Sequence, residues 1–158
     1  VKLSDSYSLL FTSLLGMVYY PKVAALVHDP AQLRPYVRQV VALLVPVTAA
    51  GLLIFYFFRR FFIQLFFDET FLQADFLIDY QVLGDFFKMT GLLLSYIINI
   101  QARVKFYIAT HAAFAALYVL LVYLLIQPFG IEGFTIAHAC RYGAFLAFHV
   151  FYFRKLLF

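Results

Sequence analysis

Asp85 and Lys88 stand three residues apart in the stretch "VLGDFFKMTG", and the chain then runs on through the apolar "LLLSYII" of Leu92–Ile98. An i, i+3 pair occupies neighbouring positions on one face of a helix. A charge near the middle of a membrane span costs roughly 2.5–3.5 kcal/mol on insertion scales, so such residues carry partners or line hydrated cavities. Two chemistries fit: an ion pair that locks helix packing, or the charged wall of a path for a polar solute. Asp85 falls about 9 Å along the helix from Asp79 and Lys88 about 14 Å, in the first half of the span. Gln81, Asn99 and Gln101 share this segment. Asn99, 14 residues after Asp85, returns to nearly the same angular position, which predicts a polar stripe down one face.

The remaining candidates lie on other segments. Arg59 and Arg60 close the second apolar run and suit either interfacial snorkelling or recognition of a phosphate or acidic sugar. Arg141, in "AHACRYG", is about ten residues into the last run and needs a partner or water. His111 could take part in proton coupling, as could Asp85. His138 and His149 are about 16 Å apart along one helix and cannot share an ion. No metal site or cofactor is expected. The single cysteine, Cys140, excludes an intrachain disulfide. No nucleophile elbow, P-loop, dinucleotide fingerprint or His-Glu zinc motif occurs, so the chain does not read as an enzyme.

These residues must be positioned by a chain of 158 residues that is 65% hydrophobic and 13% charged, far more apolar than a soluble domain. Mean hydropathy is +0.91. The long apolar runs lack the alternation of barrel strands, which leaves an all-α, polytopic helical membrane protein. Five runs can each reach across a hydrocarbon core of about 30 Å: 4–27, 36–58, 76–101, 106–126 and 131–153. Together they form a single membrane domain over 1–158. The connection "RRFFIQLFFDETFLQAD" reads as a short interfacial helix or an extension of the second span. "QPFG" closes the fourth span, Pro46 and Gly51 could bend the second, and Ala109, Ala112, Ala113, Ala115 and Ala116 form a stripe suited to helix packing.

The connections alternate in charge. Lys22, Arg34, Arg38, Arg103, Lys105, Arg154 and Lys155 fall on one side; Arg59 and Arg60 fall on the other, with Asp68, Glu69, Asp75, Asp79 and Glu132. The positive-inside rule therefore predicts a cytoplasmic C-terminus. The net charge of +4 reports this topology rather than nucleic-acid binding. "VKLSDSY" leads into the first span without Met or a cleavage-site pattern, so the chain is expected to be the C-terminal part of a longer protein.

Several stretches resemble the Wzx-type flippases of O-antigen and enterobacterial common antigen. "LSDSYSLLFTSLLGMVYYPKVAAL" is similar to a family segment that ends in a tyrosine-rich, proline-containing stretch. "YQVLGDFFKMTGLLLSYII" resembles the family's Gln-x-x-Gly-Asp-x-x-Lys helix, the most specific part of the match. "ARVKFYI" resembles the basic turn that follows, and "LIQPFGIEGFTIAHACRYG" the loop and start of the last helix. The resemblance implies about five helices forming most of the C-terminal lobe of a twelve-helix, two-lobed transporter of the multidrug/oligosaccharidyl-lipid/polysaccharide exporter superfamily. It implies alternating-access transport of an undecaprenyl-pyrophosphate-linked oligosaccharide across the bacterial cytoplasmic (inner) membrane for surface polysaccharide biosynthesis. Its partners would be that lipid-linked oligosaccharide, membrane lipid, the missing N-terminal lobe and the polysaccharide polymerase machinery, with no nucleic acid. Lys88 and Arg60 would contact phosphate or acidic sugar. Asp85 would pair with Lys88, bind sugar hydroxyls or carry a coupling proton. Gln81, Asn99, Arg141 and His111 complete the expected substrate or coupling site. The rivals are a small-molecule (drug or cation) antiporter of the same superfamily, a membrane-embedded glycosyl- or acyltransferase, and a non-transporting assembly subunit.

Overall fold

The computed structural model describes residues 2–66, 76–101 and 103–157, and every element among them is a helix. The first span comprises α1 (Lys2–Leu14), a π-helical stretch (Leu15–Tyr19) and α2 (Tyr20–Leu26). Then come α3 (Pro30–Phe57), the short α4 (Arg59–Phe66), α5 (Leu77–Ile100), α6 (Val104–Phe129), α7 (Glu132–Tyr152) and α8 (Arg154–Leu157). Ser4–Leu26, Pro30–Phe57, Leu77–Ile100 and Val104–Phe129 are each long and apolar enough to cross a membrane. The chain is therefore an all-α, multi-pass helical membrane protein. The fifth expected span is α7, whose 21 residues extend about 32 Å. It is less apolar than the other four because His138, Arg141 and His149 interrupt it.

Local chemistry explains the boundaries. α3 begins six residues before the expected start, because Asp29 caps it. The Asp29 carboxylate accepts from Ala31 N at 3.1 Å and Gln32 N at 3.3 Å, and Pro30 takes the first helical position. Arg34 and Arg38 consequently lie exposed on the first turns of a helix rather than in a connection. α3 continues through Pro35 and Pro46 to Phe57. "QPFG" does end α6: Gly130 takes φ 57° and donates its N–H to Ile126 O. Pro21 lacks an N–H and would crowd the carbonyl four residues earlier; the wider turn just before it, where Tyr20 N–H reaches Leu15 O, gives room. A short helix, α4, follows α3 after Phe58, while 67–75, with Asp68, Glu69 and Asp75, lies outside the described residues.

α5 is the central helix. Half of its most apolar window is buried in the bundle, against 6% for α3 and α6, whose flanks are left to lipid. Its most extensive contact is with α7. Two glycines allow that approach. A Cβ on Gly84 would collide with the His138 ring, and one on Gly91 would lie 2.7 Å from the Phe145 ring. In lipid such close packing replaces the hydrophobic drive available in water. The alanine stripe of α6 does not serve this purpose: Ala109, Ala112, Ala113, Ala115 and Ala116 are all exposed. α6 meets α7 through aromatic contacts, among them Phe114 with Phe145 and Phe148, and through Gly133 of α7, where an added Cβ would lie 2.6 Å from Leu125 O.

The bundle is divided along its length. At the end bearing the basic connections, Leu15, Tyr19, Val23, Leu33, Val37, Leu93, Leu94, Ile97, Ile98 and Phe153 form a buried apolar core. At the other end, the side chains between α1, α5 and α7 are polar, and Asp85 lies among them.

Candidate functional site

Three helices converge on Asp85, which is fully buried. α1 brings Ser4, whose hydroxyl donates to Oδ2 at 2.6 Å, and Tyr7, whose hydroxyl donates to the same oxygen. α7 brings His138, with Nε2 3.0 Å from Oδ1. Gln81, one turn earlier on α5, places Nε2 3.3 Å from both carboxylate oxygens and 3.2 Å from Ser4 Oγ. Four donors thus surround one acceptor, the environment that suits an ionised carboxylate. The bond to Oδ1 requires the hydrogen on His138 Nε2. The 3.4 Å approach of that nitrogen to Gln81 Nε2 is then two donors sharing an acceptor, not a bond between them.

Lys88 does not join this carboxylate. Its Nζ donates to Ser8 Oγ at 3.2 Å and lies 6.0 Å from the centre of the Tyr142 ring. The expected Asp85–Lys88 pair is therefore replaced by two neighbouring contacts to α1: Asp85 takes Ser4 and Tyr7, and Lys88 takes Ser8. On the same tyrosine, the Arg141 guanidinium carbon sits 4.5 Å from the ring centre, and 5.5 Å from that of Tyr118 on α6. Arg141 Nε is buried without a hydrogen-bond partner. The two cations share one aromatic ring, and neither meets a carboxylate among the described residues.

Of the residues expected to act together, Asp85, Gln81, Lys88 and Arg141 are gathered around His138 and Tyr142. The others are elsewhere. Arg60 is exposed at the head of α4, beside Arg59, which pairs with Asp79 at 3.2 Å. Asn99 lies near the opposite end of α5, 14 residues or roughly 21 Å from Asp85, and Leu92 stands on the face between them, so the polar stripe is interrupted. His111 Nε2 lies 3.0 Å from Ser95 Oγ, with its ring against Tyr107 and Phe145, a contact between α5 and α6. His149 is buried; its Nδ1–H donates to Phe145 O at 2.8 Å, and Nε2 has no partner. No three His, Cys, Asp or Glu side chains among the described residues are grouped to hold a metal.

Sequence reasoning missed Ser4, Tyr7, Ser8, His138 and Tyr142 as site residues. A signal existed for the first three. In "SDSYS" they recur at i, i+3 and i+4, one face of a helix that is otherwise destined for lipid. No protein-family model, curated protein or solved structure matches the chain.

Proposed function

We propose that this chain is part of a flippase that moves an undecaprenyl-pyrophosphate-linked oligosaccharide across the bacterial cytoplasmic membrane by alternating access. The observation that carries this reading is the pair of cations around Tyr142. Lys88 lies on α5, which is long and apolar enough to cross a membrane, and Arg141 on the less apolar α7 packed against it; neither meets a carboxylate among the described residues. Uncompensated positive charge in hydrocarbon is costly and is retained where an anion passes or binds. A pyrophosphate and a glycan cannot cross lipid unaided, whereas a polyprenyl tail can remain in it. The neighbouring Asp85, Gln81, Ser4, Tyr7 and His138 offer hydrogen-bonding groups of the kind a sugar requires. The Gly-Asp-x-x-Lys resemblance supports the same substrate. The charge bias of the connections supports a cytoplasmic C-terminus. Transport would require the other lobe of the same protein, with the two lobes rocking about the site.

The test is complementation of flippase-deficient bacteria by the full-length protein. Surface glycan should return with the parent. It should fall by about tenfold or more with Lys88→Ala or Arg141→Gln, as loss of one charged contact implies. Membrane insertion of each variant is checked alongside. Undiminished glycan with both variants would remove these cations from the site. No glycan with the parent, together with export of small cations, would turn the reading to an antiporter.

A further inference from the structure

A second charged feature lies at the other end of the bundle. Where α7 turns into α8, a groove of about 340 Å3 opens, lined by Phe148, Phe151, Tyr152, Arg154 and Lys155. Its corner is fixed from behind: Phe153 is buried in the apolar core with Leu33 and Val37 of α3. Its rim is cationic. The Arg154 guanidinium lies 4.8 Å from the centre of the Phe151 ring. The Tyr152 hydroxyl accepts from Arg103 Nη1 at 2.7 Å, which fastens a third cation beside the groove. Among the described residues, Arg103, Arg154 and Lys155 meet no carboxylate and no acidic side chain lines the groove.

The walls say what kind of molecule fits. The aromatic floor continues into the exposed stripe Cys140, Ala144, Ala147 and Phe151 of α7, which runs from this corner along the span toward the other end. A soluble anion would use the rim and leave the stripe unused; an amphiphile uses both. The absence of an acidic lining residue matters too. A zwitterionic headgroup would bring its ammonium beside Arg154 and Lys155, with no carboxylate among the described lining residues to offset the repulsion. An anionic phosphodiester with a glycerol headgroup brings no such charge.

We infer that this corner binds an anionic phospholipid, with its phosphodiester against Arg154 and Lys155, Arg103 at the rim, and its first acyl carbons along Phe148 and Phe151. Arg154 is 13 residues, roughly 20 Å of helix, from Arg141, and the site does not depend on the transport reading. Basic pockets between spans at a membrane surface are suited to such headgroups, and each cation contributes appreciably there.

The experiment is native mass spectrometry of the purified full-length protein titrated with phosphatidylglycerol or phosphatidylcholine. The parent should retain phosphatidylglycerol in preference. Arg154→Gln combined with Lys155→Gln should weaken that retention by about tenfold or more. Lys22→Gln with Arg34→Gln removes the same charge from the same end outside the groove and should change it little. Equal loss in both double variants would show diffuse surface attraction and overturn the site. Equal retention of phosphatidylcholine would overturn the headgroup assignment. Displacement by free glycerol phosphate at matched concentration would assign the groove to a soluble anion instead. The substituted side chains are exposed, so a monodisperse elution profile establishes that each variant remains folded.

Discussion

The first span is attached to the bundle in two different ways. From Leu15 onward it is held by shape: Leu15, Tyr19 and Val23 are fully or almost fully buried against α3 and α5. Before Leu15 it is held by hydrogen bonds. Ser4 and Ser8 are buried there, while Leu9, Leu10 and Leu14 are each more than 60% exposed. The π-helical stretch and Pro21 lie at the change between the two. In lipid, neither half gains from expelling water, so the apolar half depends on van der Waals fit and the polar half on a few directed bonds. Fit is lost gradually with volume. Directed bonds fail together when their common acceptor is removed.

The largest expected effect follows from that difference. Asp85→Ala removes the acceptor that Ser4, Tyr7, Gln81 and His138 share, and leaves those donors without it inside the bundle. Unpairing a buried charged network costs on the order of 3 kcal/mol or more. Thermal or denaturant unfolding of the full-length protein in detergent should show that loss. Hydrogen exchange should place it in Ser4–Leu14 before Leu15–Leu26. A loss under about 1 kcal/mol would mean that water replaces the missing acceptor, and the two halves would then differ less than their contacts indicate.

Smaller losses are expected at the glycines between α5 and α7. A Cβ at Gly91 would lie 2.7 and 2.9 Å from two Phe145 ring carbons, and one at Gly84 would enter the His138 ring. Gly91→Ala should cost about 1–3 kcal/mol by overpacking. Gly84→Ala should cost a similar amount and also push His138 from Asp85, so its effect should shrink when Asp85 is already alanine. Gly16 and Gly51 meet nothing within 4 Å of an added Cβ. Alanine at either should be neutral or stabilising by up to about 1 kcal/mol. Equal losses at all four glycines would break the argument that Gly84 and Gly91 mark the close approach of α5 and α7.

The apolar half gives an intermediate value. Ile97 is fully buried among Leu93, Leu94, Ile98 and the side chains of α2 and α3. Ile97→Ala should cost about 2–4 kcal/mol, set by the volume left empty. Its exchange signature should be the reverse of that for Asp85→Ala, with Leu15–Leu26 loosened first.

The same contrast explains what could be read from the chain. The helical membrane class follows directly from long apolar runs, and the C-terminal end of α6 follows from the glycine of "QPFG", which acts locally. The start of α3 was also legible, in the Asp29-Pro30 pair, although the apolar run alone places it later. The partners of Asp85 were not. Lys88 is its neighbour in sequence, but His138 is 53 residues away and wins the contact because Gly84 admits its ring. Periodicity identifies the face on which a residue lies and not which helix will meet that face. The alanine stripe of α6 shows the same limit. Small residues permit close packing, yet here they face outward, and two glycines in α5 do the packing.

The smallest effects separate the four donors. Ser4→Ala and Tyr7→Phe each remove one hydroxyl from Asp85 Oδ2 and leave the carboxylate with its remaining donors. Hydrogen bonds between membrane helices average about 0.6 kcal/mol by double-mutant cycles, so each variant alone should cost roughly 0.5–1 kcal/mol. Tyr7 also packs its ring against Phe55 of α3 with centroids 5.6 Å apart, and phenylalanine keeps that contact. The informative quantity is the double variant. Either hydroxyl can support Oδ2 when the other is gone, so removing both should cost more than the sum, by about 0.5 kcal/mol or more. Simple additivity would mean that Asp85 does not act as one shared acceptor. The first half of the span would then be held by independent contacts, as its second half is.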